Sequence, residues 1–241
     1  MREKLIQTRK EQPPVVWHRR NLQDIGMKES ALEATLVANP DLLCLDDAGI
    51  FYRSVYIVRQ ASARAITGAQ KYPDIIFLTD TGDVGIVEVK RYGNHELQDR
   101  KVISQVIDYG ATVTTLDEDK QVRMLREPDS SAETLDQLVR EVFPKSEYLS
   151  SLAAKIRRQL QHGQLHYIIA CDRAPEGLAT WVASVSQSSA TDFSIRVLEV
   201  CPYQQDDDPA LLIWFSAPII KTETIQRTTI RIDDSGGQRG V

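Results

Sequence analysis

The stretch Pro73-Asp-Ile-Ile-Phe-Leu-Thr-Asp-Thr-Gly-Asp-Val-Gly-Ile-Val-Glu-Val-Lys90 contains two apolar runs, residues 74–78 and 86–90, joined by residues 79–85 with glycines at 82 and 85. Runs rich in Ile, Val and Phe form strands, and a short connector supplied with glycine turns the chain back on itself, so the stretch reads as a β-hairpin. Along the second strand, alternation sends Glu88 and Lys90 to one face and Val87 and Val89 to the other. A carboxylate and an ammonium therefore stand side by side. Asp74 opens the partner strand, where its carboxylate can converge with that of Glu88. A lone Glu-x-Lys is common on solvated strands, so the flanking segments carry much of the weight.

Downstream, residues 99–113 repeat Val102, Val106 and Val113 with Ile103, Ile107 and Gly110 at the helical period, which puts Gln105 and Tyr109 four apart on one helix face. Upstream, residues 28–38 carry Leu32, Leu36 and Val37 at helical spacing and stop at Asn39-Pro40. Glu29 and Glu33 share a face of that short helix. Residues 51–60 read as a strand and 61–72 as a long hairpin loop. A polar stretch, 116–129, precedes two helices. Ser130 and Glu133 have the spacing of a capping box at the start of the first, Phe143-Pro144 closes it, and the second ends at Gly163. The last third alternates: strand 165–170, helix 176–185, strand 193–200 and apolar strand 211–220, an order that favours parallel addition to the same sheet.

Two carboxylates beside a lysine suit a hard divalent cation. Mg²⁺ takes one or two carboxylates, a backbone carbonyl such as that of Val89, waters and a phosphate oxygen. Such an ion makes a nucleophile of its water and polarises a phosphoryl group, while Lys90 orients the water or offsets transition-state charge.

Pro73-Asp74 followed by Glu88-Val89-Lys90 in an apolar strand resembles the signature of the PD-(D/E)XK nuclease superfamily, in which an arginine after the lysine, here Arg91, is a common companion. The upstream helix, Glu29-Ser-Ala-Leu-Glu33 running to Asn39-Pro40, resembles the one that brings a further glutamate to the metal in nucleases related to the archaeal single-strand and flap endonucleases. Gln105-Val-Ile-Asp-Tyr109 resembles the Gln-x-x-x-Tyr element of the RecB-type branch. The resemblance covers about residues 29–113 and the strand-helix-strand ending. It implies an α/β fold with a restriction-endonuclease-like core, a central mixed β-sheet flanked by helices. It further implies a Mg²⁺-dependent deoxyribonuclease, with Mn²⁺ as substitute. Asp74, Glu88, Lys90 and Glu29 would be catalytic. Asp74, Glu88, the Val89 carbonyl and Glu29 (Glu33 as alternative) would hold the metal, and Gln105, Tyr109 and Arg91 would contact substrate.

The organisation expected is an N-terminal arm or strand (1–27), a nuclease-like domain (28–220) with a helical insertion at about 116–161, and a tail (221–241) whose end is disordered. The chain has 241 residues, 42% of them apolar and 26% charged, enough for a full core without staples. Three scattered cysteines argue against a disulfide framework or zinc knuckle. With no apolar leader and no membrane-length apolar run, a cytoplasmic protein is expected. The net charge of −5 weighs mildly against a large nucleic-acid footprint, although from Arg53 to Lys101 eight basic residues face six acidic ones. DNA is the expected partner, RNA less so, and a homodimer would pair two sites for double-strand cutting. The alternative is a catalytically silent nuclease-like fold that binds DNA or protein.

Overall fold

The computed structural model describes residues 3–8, 10–59, 73–99, 101–188 and 194–219. The fold is α/β, with a central mixed sheet flanked by helices. Its strands are β1 (Lys4–Gln7), β2 (Val15–Arg19), β3 (Val55–Arg59), β4 (Ile75–Thr79), β5 (Val84–Lys90), β6 (His166–Cys171), β7 (Ser194–Gln205) and β8 (Leu212–Pro218). The helices are α1 (Glu29–Ala38), α2 (His95–Gln98), α3 (Lys101–Thr115), α4 (Glu118–Leu125), α5 (Leu135–Val142), α6 (Leu149–His162) and α7 (Leu178–Ser188). Two short 3₁₀ turns, Pro40–Leu43 and Asp46–Ala48, follow α1.

The quoted hairpin lies inside this sheet, one strand in from its β3 edge. β4 pairs antiparallel with β3 on one side and with β5 on the other, and β5, β6 and β7 run parallel to one another. Every residue of β4 and β5 is buried, because helices cover both faces of the sheet. On one face, Leu32 and Leu36 of α1 pack with Ile75, Phe77, Val87, Val89 and Ile168. On the other, Val102, Val106 and Val113 of α3 join Ile76, Ile86, Ile169 and the helices that follow. Burying one such side chain stabilises the fold by roughly 1.5–3 kcal/mol, so α1 is held by Leu32 and Leu36 far more than by its ends. α3 approaches β6 closely at Gly110, where a Cβ would collide with the Tyr167 hydroxyl.

β1 and β2, in the segment read as a strand or extended arm, form a hairpin. Its second strand pairs with β7 beyond the end of β6, and Trp17 packs against Cys201 and Tyr203. Residues 203 and 204 pair with both β2 and β8, so those two strands lie on opposite edges of β7. These two partners also explain why β7 runs on to Gln205 rather than stopping near Val200. β3 is shorter than the run 51–60 suggests, because the backbone at 53 and 54 is tied to Asp80 in the hairpin turn.

The region 116–129 is not purely irregular. α4 is short and polar overall, yet Val122, Met124 and Leu125 reach the core, and Asp117 caps it by accepting from the Lys120 N–H. The capping box on α5 is made by Thr134 with Gln137. Ser130 and Glu133 do not form it: the Ser130 hydroxyl turns to Glu141 and to the Ala132 N–H. The spacing is right in both places, but only Thr134 sits where the chain enters the helix. α6 closes at Gly163, whose left-handed φ of 65° suits glycine. His166 meets Ser194 and Asp83. Residues 61–72, read as a hairpin loop, and the tail 221–241 lie outside the described residues. Among the described residues no helix is long and apolar enough to cross a membrane.

Candidate active site

Glu88 and Lys90 are the exceptions in a strand otherwise built of apolar residues, at 2% and 8% exposure. Charge in such a place is costly unless paired. Lys90 Nζ lies 2.7 Å from Glu88 Oε1 and 2.9 Å from Glu96 Oε2, so the ammonium is clasped between two carboxylates. Asp74 comes up beside them from β4's start, its Oδ2 accepting from the Val89 N–H at 2.8 Å. The hairpin alone produces this arrangement: β4 and β5 are adjacent and antiparallel, so Asp74 and the 88–90 segment meet at the same end of the sheet.

Their protonation follows from that crowding. Burial pushes the Asp74 carboxyl up to about 6, with Glu33 and Glu29 adding repulsion and the Val89 N–H and Lys90 opposing it. Burial likewise pushes Glu88 up to about 7, and the nearby Asp74 charge adds to it. Burial works against the charge on Lys90, but Glu88 and Glu96 outweigh it and hold the ammonium above its usual range. Glu96 is held below the usual carboxylate range, first by its hydrogen bond from Lys90. Lys90 is thus a fixed cation here, suited to offsetting charge rather than to accepting a proton.

The two glutamates of α1 separate in role. Glu29 Oε1 accepts from the Arg91 N–H at 2.9 Å and from Asn94 Nδ2 at 2.8 Å, so it grips the turn after β5. Glu33 is paired with the Arg59 guanidinium at 3.0 Å across the neighbouring strand. Both lie close enough to repel Asp74. Gln105 reaches Glu96 by a side-chain hydrogen bond and so belongs to the Lys90 network. Tyr109, 7% exposed, packs in the core under α3 and also lines a surface pocket together with Gln105. Sequence reasoning missed Glu96 and Asn94. Their signal was local: Asn94 caps α2 by accepting from the Glu96 N–H, an Asn-x-Glu start four residues past Lys90.

No family model matches the chain, and neither a curated protein nor a solved structure matches it.

The donor set fits a divalent cation bound by two carboxylates. Glu88 Oε2 is buried without a hydrogen-bond partner, and the nearby Asp74 charge raises Glu88, so a cation between them would satisfy the first and relieve the second. Among the described residues no cluster of three or more His, Cys, Asp or Glu side chains is arranged to hold a metal. Glu29 Oε1 and Glu33 Oε2 hold hydrogen bonds elsewhere, and Mg²⁺ accepts a backbone carbonyl such as that of Val89 and water beside two carboxylates.

A pH dependence follows for the metal-free protein. Asp74 and Glu88 bind protons more tightly folded than unfolded, where carboxyls titrate near about 4. Their contribution to stability is complete below that pH and is lost as pH rises through about 6 and about 7. The loss is on the order of a few kcal/mol. Urea titrations in EDTA at pH 5 and pH 8 should show the wild type losing more stability than Glu88→Gln over that interval. Equal losses would refute the raised Glu88 carboxyl.

Proposed function

We propose that this chain is a metal-dependent nuclease that hydrolyses phosphodiester bonds of DNA. The observation that carries the reading is the buried trio at the carboxyl end of β5: Asp74 and Glu88 converging with an unpartnered Oε2, and Lys90 held charged beside them. The resemblance of Pro73-Asp74, Glu88-Val89-Lys90 and Gln105 through Tyr109 to the PD-(D/E)XK superfamily supports it.

Mg²⁺, or Mn²⁺ in its place, when held by Asp74, Glu88 and the Val89 carbonyl, supplies an activated water and a Lewis acid for the phosphoryl oxygens. Lys90 presents a fixed positive charge to the phosphate as negative charge builds in the transition state. Glu96 and Gln105 hold that ammonium in place, and Glu29 fixes the turn that carries Arg91, whose guanidinium is available to a neighbouring phosphate. The same chemistry applies to RNA, which matched DNA and RNA substrates separate.

Purified protein incubated with linear, nicked and single-stranded DNA in Mg²⁺, Mn²⁺ or EDTA tests the proposal. Cleavage is expected with either metal and not in EDTA, with Asp74→Asn inactive. Absence of cleavage on all substrates would overturn it. One observation favours a second reading, a silent fold that only binds nucleic acid or protein: Lys90 is closed between Glu88 and Glu96. That reading predicts no calorimetric Mn²⁺ binding, whereas the nuclease binds Mn²⁺ and loses it in Asp74→Asn.

A further inference from the structure

Just past the ends of β5 and β6 lies a second arrangement that the trio does not use. Tyr92 follows Lys90 by two residues, and Arg173 follows by two Cys171, the residue in register with Lys90. The Arg173 guanidinium lies over the Tyr92 ring, 5.6 Å from its centroid. Both residues are anchored by Asp172, which is fully buried. Its Oδ1 accepts from the Tyr92 N–H at 2.6 Å and its Oδ2 from the Leu22 N–H at 2.7 Å. Its own carbonyl accepts from the Cys201 thiol and the Arg19 guanidinium. The backbone beneath the pair is therefore fixed from three directions, while Arg173 itself is exposed and Tyr92 half-buried.

Arg19, Arg59 and Arg157 each have a carboxylate partner; among the described residues Arg173 has none. A guanidinium lying against a ring keeps the donors on its edge free, and that planar fork matches two oxygens of a phosphate. Two residues of chain span at most about 7 Å, so the pair stands within reach of a phosphate flanking the one at Lys90.

We propose that Arg173, supported by Tyr92, is a phosphate-binding site for the nucleic-acid backbone next to the scissile position; this rests on the nuclease reading. Tyr92 and Asp172 are positioning residues for it.

The test is fluorescence anisotropy with a labelled DNA oligonucleotide and the full chain in EDTA, where binding is read without cleavage, over a range of salt. Arg173→Gln should weaken binding about tenfold and flatten the slope of log affinity against log salt by about 1. Arg173→Lys should keep the slope while losing part of the affinity. Tyr92→Phe should behave as wild type and Tyr92→Ala should weaken binding, because the ring face is what supports the cation. Arg140→Gln, an exposed change on α5, serves as control and should alter nothing. An unchanged salt slope in Arg173→Gln, with wild-type cleavage intact, overturns the site and leaves the nuclease reading standing. Binding that depends on Arg173 without metal-dependent cleavage keeps Arg173 as a phosphate contact but sinks the nuclease reading and, with it, the place of the site beside a scissile position. Absence of any DNA binding sinks the site whatever the cleavage result.

Discussion

If the chain is the proposed nuclease, Lys90→Ala is expected to lower the single-turnover rate of DNA cleavage by on the order of a thousandfold, while DNA binding in EDTA changes far less. Among the described residues the ammonium is the one cation bonded to Glu88, and it is held charged by Glu88 and Glu96. Its contribution is greatest when negative charge develops on the phosphate, so its loss should fall on the rate rather than on binding. Removal also leaves Glu88 buried opposite Asp74 with no counter-charge. Breaking such a pair costs about 3–5 kcal/mol unless the carboxyl takes up a proton. The variant should therefore be less stable at pH 8 than at pH 5, and its Mn²⁺ affinity should fall at neutral pH as protons compete for Glu88. Lys90→Arg keeps the charge on a larger planar group and should recover only part of the rate. Rates within tenfold of wild type for Lys90→Ala, in protein with unchanged circular dichroism, would remove Lys90 from the mechanism.

Gly85→Ala is expected to be the most damaging single methyl in the sheet. Gly85 sits in β5 directly opposite Phe77 of β4, and the Phe77 ring lies across the glycine, so an added Cβ would run into it. Phe77 is fully buried, with Leu32, Leu36 and Val87 in the same cluster. Overpacking of this kind costs about 3 kcal/mol. In a domain of this size that lowers Tm by roughly 6–12 °C. The damage also reaches the site, because Glu88 and Lys90 lie three and five residues further along the same strand. Shrinking the ring should restore part of the loss: the double variant Gly85→Ala with Phe77→Leu should be more stable than the two single effects added together. A Gly85→Ala protein melting within about 2 °C of wild type would show that the ring moves freely.

What could be seen in the sequence was local. The hairpin, the sharing of one face by Glu88 and Lys90, and helices α1 and α3 follow from periodicity over windows of about ten residues, where each side chain's direction is set by its own backbone. α4 was obscured because its few core-facing residues, Val122, Met124 and Leu125, sit in a run that is polar on average. The capping box was displaced from Ser130 to Thr134 because two nearby segments carry the same spacing, and packing selects where the helix begins.

The choice between Glu29 and Glu33 shows where such reading ends. They lie on the same helix one turn apart, and nothing in their spacing distinguishes them. The structure gives Glu33 to Arg59, 26 residues away, and Glu29 to Arg91 and Asn94, more than 60 away. The N-terminal hairpin is a stronger case, since β2 meets β7 near the far end of the chain. The sequence by itself determined an α/β chain with a hairpin that places Glu88 and Lys90 on one strand face. Only the tertiary structure decided which carboxylates clasp Lys90, which glutamate grips the turn after it, and which strand extends the sheet beside Asp172. Backbone geometry is encoded residue by residue, whereas hydrogen-bond and ion-pair partners far apart in sequence are selected only when the packed core brings them within a few ångströms.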